Sequence, residues 1–441
     1  MAYQDRYLEY LDMIPERISR CHQTNGLSVL AYSSNLDAVL KWDVDSFNRL
    51  LDDYLKEKPA FHQEESVDSM EDFARIVSYF AINGYGGEVD ITSQKVIDKL
   101  NTYFEIEYGI GGTCAQGARA LGKMELPILV HLTDCSKEVI LDWLDLRQIS
   151  AVQNMQRVPL MECVSDKKPL LHVIVQYTKG DIIWVNGKAH EVPLSNRLIM
   201  GFDQVHKVLP IEPDFLRYCE EHAQSMYSYN ISGFNAMLDL EILKEKLEDL
   251  VLHLKKVKAN NPNCIIYLES AHYISSAIRE YTYSMLAETI DILGMNEEEL
   301  VNLTREMEQE VDVNDLRSIL DGVEYLLQKY PIRGTVVHSK DYSLYFGEDI
   351  SEIDLEMGMT LGNLMSATKA RLGVPGTIEE CQETLELPLS KIGMAYANEL
   401  GTIGIKDKKV ILVPSRYMET PKSTIGLGDT FVAGMQIGFI Q

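Results

Sequence analysis

Short, continuously apolar runs separated by amphipathic stretches set the rhythm of the chain. LSVLAY (27–32), PILVHL (127–132), CIIYLE (264–269), GTVVHS (334–339) and KVILVPS (409–415) are rich in β-branched residues and lack a polar alternation. Strands covered on both faces read this way, which predicts a mostly parallel, buried sheet. Between such runs, LDLEILKEKLEDLVLHLKKVKA (238–259) and VNDLRSILDGVEYLLQKY (313–330) repeat apolar residues at intervals of three and four, the spacing of one helix face. Strand and helix in alternation predict a doubly wound α/β sheet.

The rhythm breaks twice. Residues 38–103 are helix-rich with one strand-like run, EVDITS (88–93), and VIVQYTKGDIIWVNGKAHEVPLSNRLIMGF (173–202) reads as consecutive antiparallel strands around the turns TKGD and VNGK. These segments predict a small α+β domain made of 38–103 and 173–202. The large α/β domain then comprises 1–37, 104–172 and 203–441, so the two lobes are interwoven along the chain.

Composition narrows the class of partner. A chain of 441 residues exceeds one ordinary core and suits two lobes. With 67 acidic against 41 basic residues, the formal charge of -26 excludes a nucleic-acid partner, which would require a basic face. The seven cysteines are scattered without a CxxC pair, which fits neither a disulfide scaffold nor a zinc site. No run reaches the about 18 apolar residues that a membrane span needs, and MAYQDRYLEYLDMIPERISR lacks the apolar centre of a signal peptide. A cytoplasmic protein with no membrane partner is expected.

Several stretches could carry chemistry. After KVILVPS the chain passes Pro421 and reaches STIGLGDTFVAGMQIGFIQ (423–441), a glycine turn opening a helix. Backbone N–H groups at such a turn welcome an anion, and Gly426 and Gly428 leave it room to approach. Asp429 beside that turn suits a general base that takes a proton from an attacking hydroxyl; it equally suits a helix cap. SSNLDAVL (33–40) places Asn35 and Asp37 just past the first strand, where open α/β sheets bind ligands, although Asp37 also fits an ordinary turn. GIGGTCAQGARALG (109–122) sets Gly111 and Gly112 before a helix of small residues, which suits close backbone approach or simply a tight connection. Glu269 ends a strand, and Asn296 with Glu299 reads both as a capping box and as half of a carboxylate pair for hydrated magnesium. Neither GxxxxGK[ST], the protein-kinase motifs nor HExxH occurs, and His131, His272 and His338 stand alone among apolar residues, as core histidines do.

Taken together and in their order along the chain, SSNLDA, GIGGTCAQG, YLESA, NEEE (296–299) and TIGLGDT resemble the ADP-dependent glucokinase and phosphofructokinase family of the ribokinase superfamily. The resemblance runs from Asn35 to the carboxyl end. It implies a ribokinase-like fold, a large nucleotide-binding domain and a small lid over a sugar site. It implies Asp429 as catalytic base, the backbone of Gly426, Leu427 and Gly428 as anion hole, and Asn35, Asp37, Gly111 and Gly112 at the sugar. Glu269 and Glu299 would anchor Mg2+ through water with Asn296 in support, and His338, Val413, Pro414 and Gly428 would face the nucleotide. Glu88 in GGEVDI looks like a lid carboxylate that meets unphosphorylated glucose, whereas Arg197 in SNRLIMGF sits near the family's phosphate grip; each is also read as a surface charge. Two positions depart from the pattern: Tyr267 stands where the family's HxE motif has histidine, and the sugar loop reads Gly-Gly-Thr-Cys. The expected activity is transfer of the β-phosphoryl of ADP to glucose, fructose 6-phosphate or a related sugar by a monomer. An ATP-using relative and a non-catalytic sugar or nucleotide sensor are the alternatives.

Overall fold

A computed structural model describes residues 3–62 and 65–441. The larger sheet has ten strands, in the order Lys409–Pro414, Tyr342–Gly347, Gly334–His338, Ile292–Asn296, Ile265–Glu269, Met226–Ile231, Leu27–Ala31, Ile128–His131, Ile149–Gln153 and Gln156–Pro159. Its centre is parallel, and antiparallel strands are added at both edges. The apolar runs take these places because both faces of the sheet are covered. Ile266 and Leu268 pack with the helices Leu240–Asn260 and Ser276–Leu286, while Ile265 and Tyr267 pack with the helices Leu355–Leu372 and Leu427–Ile437 on the opposite face. A polar alternation would have left one face without a partner layer.

The second sheet has six strands in the order Ser66–Val67, Gly87–Ile91, Asn196–Phe202, Leu171–Tyr177, Asn35–Leu40 and Ile106–Gly111. Here the side chains do alternate. Ala38, Leu40, Val173, Val175, Leu198, Met200, Val89 and Ile91 form one apolar face against the helices Val44–Tyr54, Met70–Asn83 and Gln94–Leu100. The residues between them, including Asp37, His172, Arg197 and Glu88, take the opposite face, because successive side chains of a strand point to opposite sides. Register keeps them together: Asp37 pairs with His172, Arg197 with Gln176, and Glu88 with Ile199.

Two features differ from the sequence expectation. The turn VNGK closes a tight hairpin between Ile182–Val185 and Lys188–Glu191, with φ of +50° at Asn186 and +78° at Gly187, but TKGD does not close a second one. Leu171–Tyr177 pairs antiparallel with Asn196–Phe202, so the hairpin projects as an excursion between two neighbours. Sheet membership also redraws the division between lobes. Ile106–Gly111, within the span 104–172, pairs with Asn35–Leu40 in the smaller sheet, and Asn35 and Asp37 themselves lie on that strand. Local pattern cannot reveal this, since a strand's period is the same in either sheet. No helix among the described residues is long and apolar enough to cross a membrane.

Candidate active site

The last helix, Leu427–Ile437, begins at Gly426, whose φ of +66° glycine adopts without strain. A Cβ there would meet Lys369 Nζ at 2.4 Å and the Gln116 side chain at 2.6 Å, so both space and backbone angle require glycine. The helix is seated against Leu355–Leu372 by mutual small residues: a Cβ on Gly434 would fall 2.5 Å from Gly362 Cα. No side chain caps its first turn. The N–H groups of Leu427, Gly428 and Asp429 are therefore without intrahelical acceptors, at the positive end of the helix. Asp429 does not serve as the cap.

Asp429 and Gly426 line a cavity of about 160 Å³ whose other walls include Asn35, Asp37, Gly111, Gly112, His172 and Arg197. The terminal glycine turn thus meets the polar face of the smaller sheet. Asn35 Nδ2 donates to Asp37 Oδ1 at 2.6 Å, and both side chains lie over Gly111, where a Cβ would come within 2.3 Å of each. Gly112, at φ +85°, approaches the Ser33 carbonyl so closely that a Cβ would be 2.6 Å from its oxygen. The paired glycines are needed by the protein's own chain, whatever they later admit. Burial pushes the Asp37 carboxyl up to about 6, against the opposing pull of His172 and Asn35. Glu88 lies three strands from Asp37, opposite Ile199; burial raises it too, while His172, His272 and Arg197 draw it down.

Three residues here have no role legible in the sequence: His172 and Gln116, which line the cavity, and Lys369, which stands behind Gly426. His172 shares the face of Asp37, and only the phase of its strand, His172-Ile174-Gln176 against apolar Val173 and Val175, hints at it. Asp203 Oδ2 accepts from His172 Nε2 at 3.2 Å and from His206 Nδ1, and His206 Nε2 lies 2.7 Å from Thr133 Oγ1. Burial pushes Asp203 up, but the two histidines outweigh it and hold the carboxyl well below its usual range. The ligating atoms of His172, Asp203 and His206 are within 4.8 Å of one another, yet hydrogen bonds already engage them. Gln116 and Lys369 are the other two. Gln116 Nε2 donates to the Ile110 carbonyl at 2.6 Å, while Lys369 Nζ donates to Gln116 Oε1 at 2.7 Å and to the Gly426 carbonyl at 3.1 Å.

A second cluster stands at the carboxyl ends of the neighbouring strands. His338 Nε2 is 2.9 Å from Glu269 Oε1, and its ring stacks on Phe431 of the last helix with centroids 4.7 Å apart. A Cβ on Gly428 would lie 3.2 Å from His338 Cε1, so the imidazole sits directly beside the glycine turn. Burial lowers His338, but Glu269 and then Glu299 and Asp429 raise it further, for a net rise. Asn296 Oδ1 accepts from the Glu299 N–H at 2.9 Å and Glu299 Oε2 accepts from the Asn296 N–H at 3.0 Å, which completes the capping box. Burial, then the charge of Glu269, pushes Glu299 up to about 7. Glu269 Oε2 and the Tyr267 hydroxyl are buried side by side, and no group other than each other engages them. Each faces Gly294, where a Cβ would fall 2.2 Å from the first and 1.9 Å from the second. Buried carboxylates with one oxygen so little engaged are the donor set for a hard divalent cation. Val413 and Pro414 stand apart from both clusters: Val413 packs in the core, and their carbonyls accept from Asn363 and Tyr7 at 3.1 and 2.8 Å.

A wide α/β sheet, a smaller sheet facing its carboxyl edge, and a glycine turn with an adjacent aspartate between them define a ribokinase-like sugar kinase. The model of the ADP-specific phosphofructokinase/glucokinase conserved region matches residues 28–437, and the chain belongs to that family. It is thus an ADP-dependent phosphotransferase with an alcohol acceptor. An ADP-dependent glucose/glucosamine kinase of Pyrococcus abyssi is 22% identical, with 98% of this chain and 97% of that one covered. An ADP-specific phosphofructokinase of the same organism is also 22% identical, over 93% and 96%. Among solved structures, the last common ancestor of ADP-dependent phosphofructokinases from Methanosarcinales has a TM-score of 0.77 at 20% identity, with 100% and 99% coverage. An ADP-dependent kinase in complex with fructose-6-phosphate and ADPβS has a TM-score of 0.75 at 20% identity, with 98% of each chain covered.

Proposed function

We propose that the protein transfers the β-phosphoryl group of ADP to a hydroxymethyl group of a hexose or hexose phosphate and releases AMP. One observation carries this: Asp429 borders the same cavity as Asn35 and Asp37, beside an uncapped helix N-terminus. Asp429 takes the proton from the acceptor hydroxyl, and the backbone of Gly426, Leu427 and Gly428 stabilises charge on the migrating phosphoryl group. Asn35 and Asp37, with Gly111 and Gly112 beneath them, bind sugar hydroxyls. Closure of the smaller lobe excludes water, which protects the nucleotide from hydrolysis.

Glu269 and Glu299 would hold magnesium through water, and the Asn296 capping box steadies Glu299. The Glu269 oxygen that no group but Tyr267 engages and the raised carboxyl of Glu299 support that fit. Magnesium, when bound, supplies neutralisation of phosphate charge. His338 orients Glu269 and lies next to Gly428, on the side open to the nucleotide. Glu88 suits an unphosphorylated hexose, whereas Arg197 and His172 suit an anionic one. The cavity is complete within one chain, as a working monomer requires, and the free cysteines suit a reducing cytoplasm.

The test mixes the protein and magnesium with ADP or ATP and with glucose, glucosamine or fructose 6-phosphate, and measures AMP. AMP from ADP with one of these acceptors is expected. Asp429→Asn should still bind ADP in calorimetry while its kcat falls on the order of 10²- to 10⁴-fold. Undiminished turnover in that variant would remove Asp429 from its role.

A further inference from the structure

Next to the sugar cavity lies a larger cleft of about 480 Å³, which shares Asp37, Gln116 and Ile425 with it. Its two walls differ in sign. The wall from the smaller sheet carries Asp37 and Glu107, and Glu107 approaches Lys41 at 4.0 Å. The wall from the larger lobe carries Arg119, Lys369 and Lys422, from the helices Thr113–Lys123 and Leu355–Leu372 and from the loop before the catalytic turn.

In a chain with 67 acidic and 41 basic residues, three cations line one cleft: Lys369 is buried, Arg119 half-buried, and Lys422 exposed at the rim. Lys258 and Arg75, by contrast, have carboxylate partners, Asp291 at 2.9 Å and Glu65 at 2.7 Å, whereas buried Arg416, stacked on Tyr7, resembles Arg119 in having none. Among the described residues, none of the three cleft cations forms an ion pair with a carboxylate. The Arg119 guanidinium stacks on Trp143 at 4.7 Å, and no hydrogen-bond acceptor among the described residues engages it. Lys369 is 4% exposed and uses neutral acceptors only, the Gln116 amide and the Gly426 carbonyl. Burial disfavours charge on both, and Arg119 repels Lys369 further. Desolvated like charges are unfavourable until an anion joins them, and a guanidinium whose donors lack acceptors offers the fork that a phosphate accepts in bidentate fashion.

We propose that Arg119, Lys369 and Lys422 form a binding site for a phosphate-class oxyanion, open to the sugar cavity and separate from Arg197 on the opposite sheet. The favoured source is the phosphate at the far end of a phosphorylated acceptor, a refinement that rests on the kinase reading above. Free orthophosphate has the same chemistry and is the other source. The anion sits on the basic wall while the sugar hydroxyls face Asp37, which matches the division of charge across the cleft.

The experiment titrates inorganic phosphate into the full-length protein by calorimetry, for the wild type, Arg119→Lys and the double variant Arg119→Gln/Lys422→Gln. Wild-type binding is expected; Arg119→Lys, which keeps the charge but loses the fork, should bind more weakly than the wild type and better than the double variant, and the double variant should bind at least about tenfold more weakly than the wild type, the loss of one charge-assisted contact or more. Steady-state rates then separate the sources. Phosphate competing with fructose 6-phosphate, and not with ADP, assigns the site to the acceptor; phosphate binding alongside saturating sugar phosphate, and lost in the double variant, assigns it to free phosphate. No phosphate binding to the wild type, or equal binding by the double variant, overturns the proposal. Absence of AMP with every acceptor would sink the kinase reading instead, and the calorimetry would still report on the anion site.

Discussion

At Lys369 an ammonium is held where water hardly reaches, and its two acceptors belong to different parts of the chain: Gln116 on the helix that follows Gly112, Gly426 at the glycine turn. Burial, with Arg119 acting in the same direction and Asp429 and Asp37 against it, brings Lys369 down to about 8. Turnover should therefore fall as pH rises through about 8, when the ammonium is lost. Stability should move the other way. Because the folded state holds this proton less tightly than the unfolded chain, whose lysine stays near 10.5, the contribution to stability rises between those values. Lys369→Met should lower kcat by roughly 10-fold or more, the worth of a charge-assisted hydrogen bond, and should erase the alkaline limb of the kcat profile; an unchanged limb would assign the titration elsewhere. Asp37 gives the acid counterpart. Raised to about 6, it loses its charge and its strongest acceptor character as pH falls through that value. KM for the sugar should climb below about pH 6, and Asp37→Asn should flatten that climb. Residues of this kind differ in how readable they are. Asp37 and Asp429 are visible because each sits in a short motif, whereas Lys369 belongs to an apolar helix and acquires its meaning from neighbours 57 and 253 positions away.

The glycine turn at Gly426 depends on how one helix is seated. Leu427–Ile437 and Leu355–Leu372 touch backbone to backbone at Gly434 and Gly362, and Gly438 comes against Gly358 in the same manner. Gly434→Val forces the two helices apart. Overpacking of that sort costs about 1–3 kcal/mol, so the melting midpoint should drop, and kcat should fall with it because Gly426 and Asp429 ride on the displaced helix. A stable variant with normal turnover would show that the helix can shift without moving the turn. The strand-loop-helix order around Gly426 is legible from the sequence because apolar run, glycine turn and helix period follow one another locally. The capping box at Asn296 and Glu299 is legible for the same reason, and the structure gives it both of its hydrogen bonds. The fate of TKGD is not. A turn signal states that the chain reverses, but which strand becomes the neighbour of Leu171–Tyr177 is decided by pairing with Asn196–Phe202.

Across the whole molecule, the site exists only where two sheets meet. Ser34 joins Leu27–Ala31 of the larger sheet to Asn35–Leu40 of the smaller, and Thr133 holds it: the Ser34 N–H donates to Thr133 Oγ1 at 2.9 Å and Thr133 Oγ1 donates to the Ser34 carbonyl at 3.0 Å. Through His206 and Asp203 the same threonine connects to His172 on the smaller sheet. Thr133→Val should loosen this junction, raising KM for the sugar several-fold while KM for ADP stays near its wild-type value; equal effects on both would argue against a junction specific to the sugar side. Local chemistry written in the sequence determined the α/β class, the buried strands, the glycine turn with its aspartate, and the family these motifs resemble. Hydrophobic period and turn residues act over a few positions, and a sequence displays them directly. Tertiary structure alone decided that Ile106–Gly111 belongs to the smaller sheet, that His172 and Gln116 line the cavity with Lys369 bonded to Gly426 behind it, and that three cations line the neighbouring cleft without forming a carboxylate ion pair. Long-range strand pairing and helix packing make those choices, and burial then sets the charge each group carries.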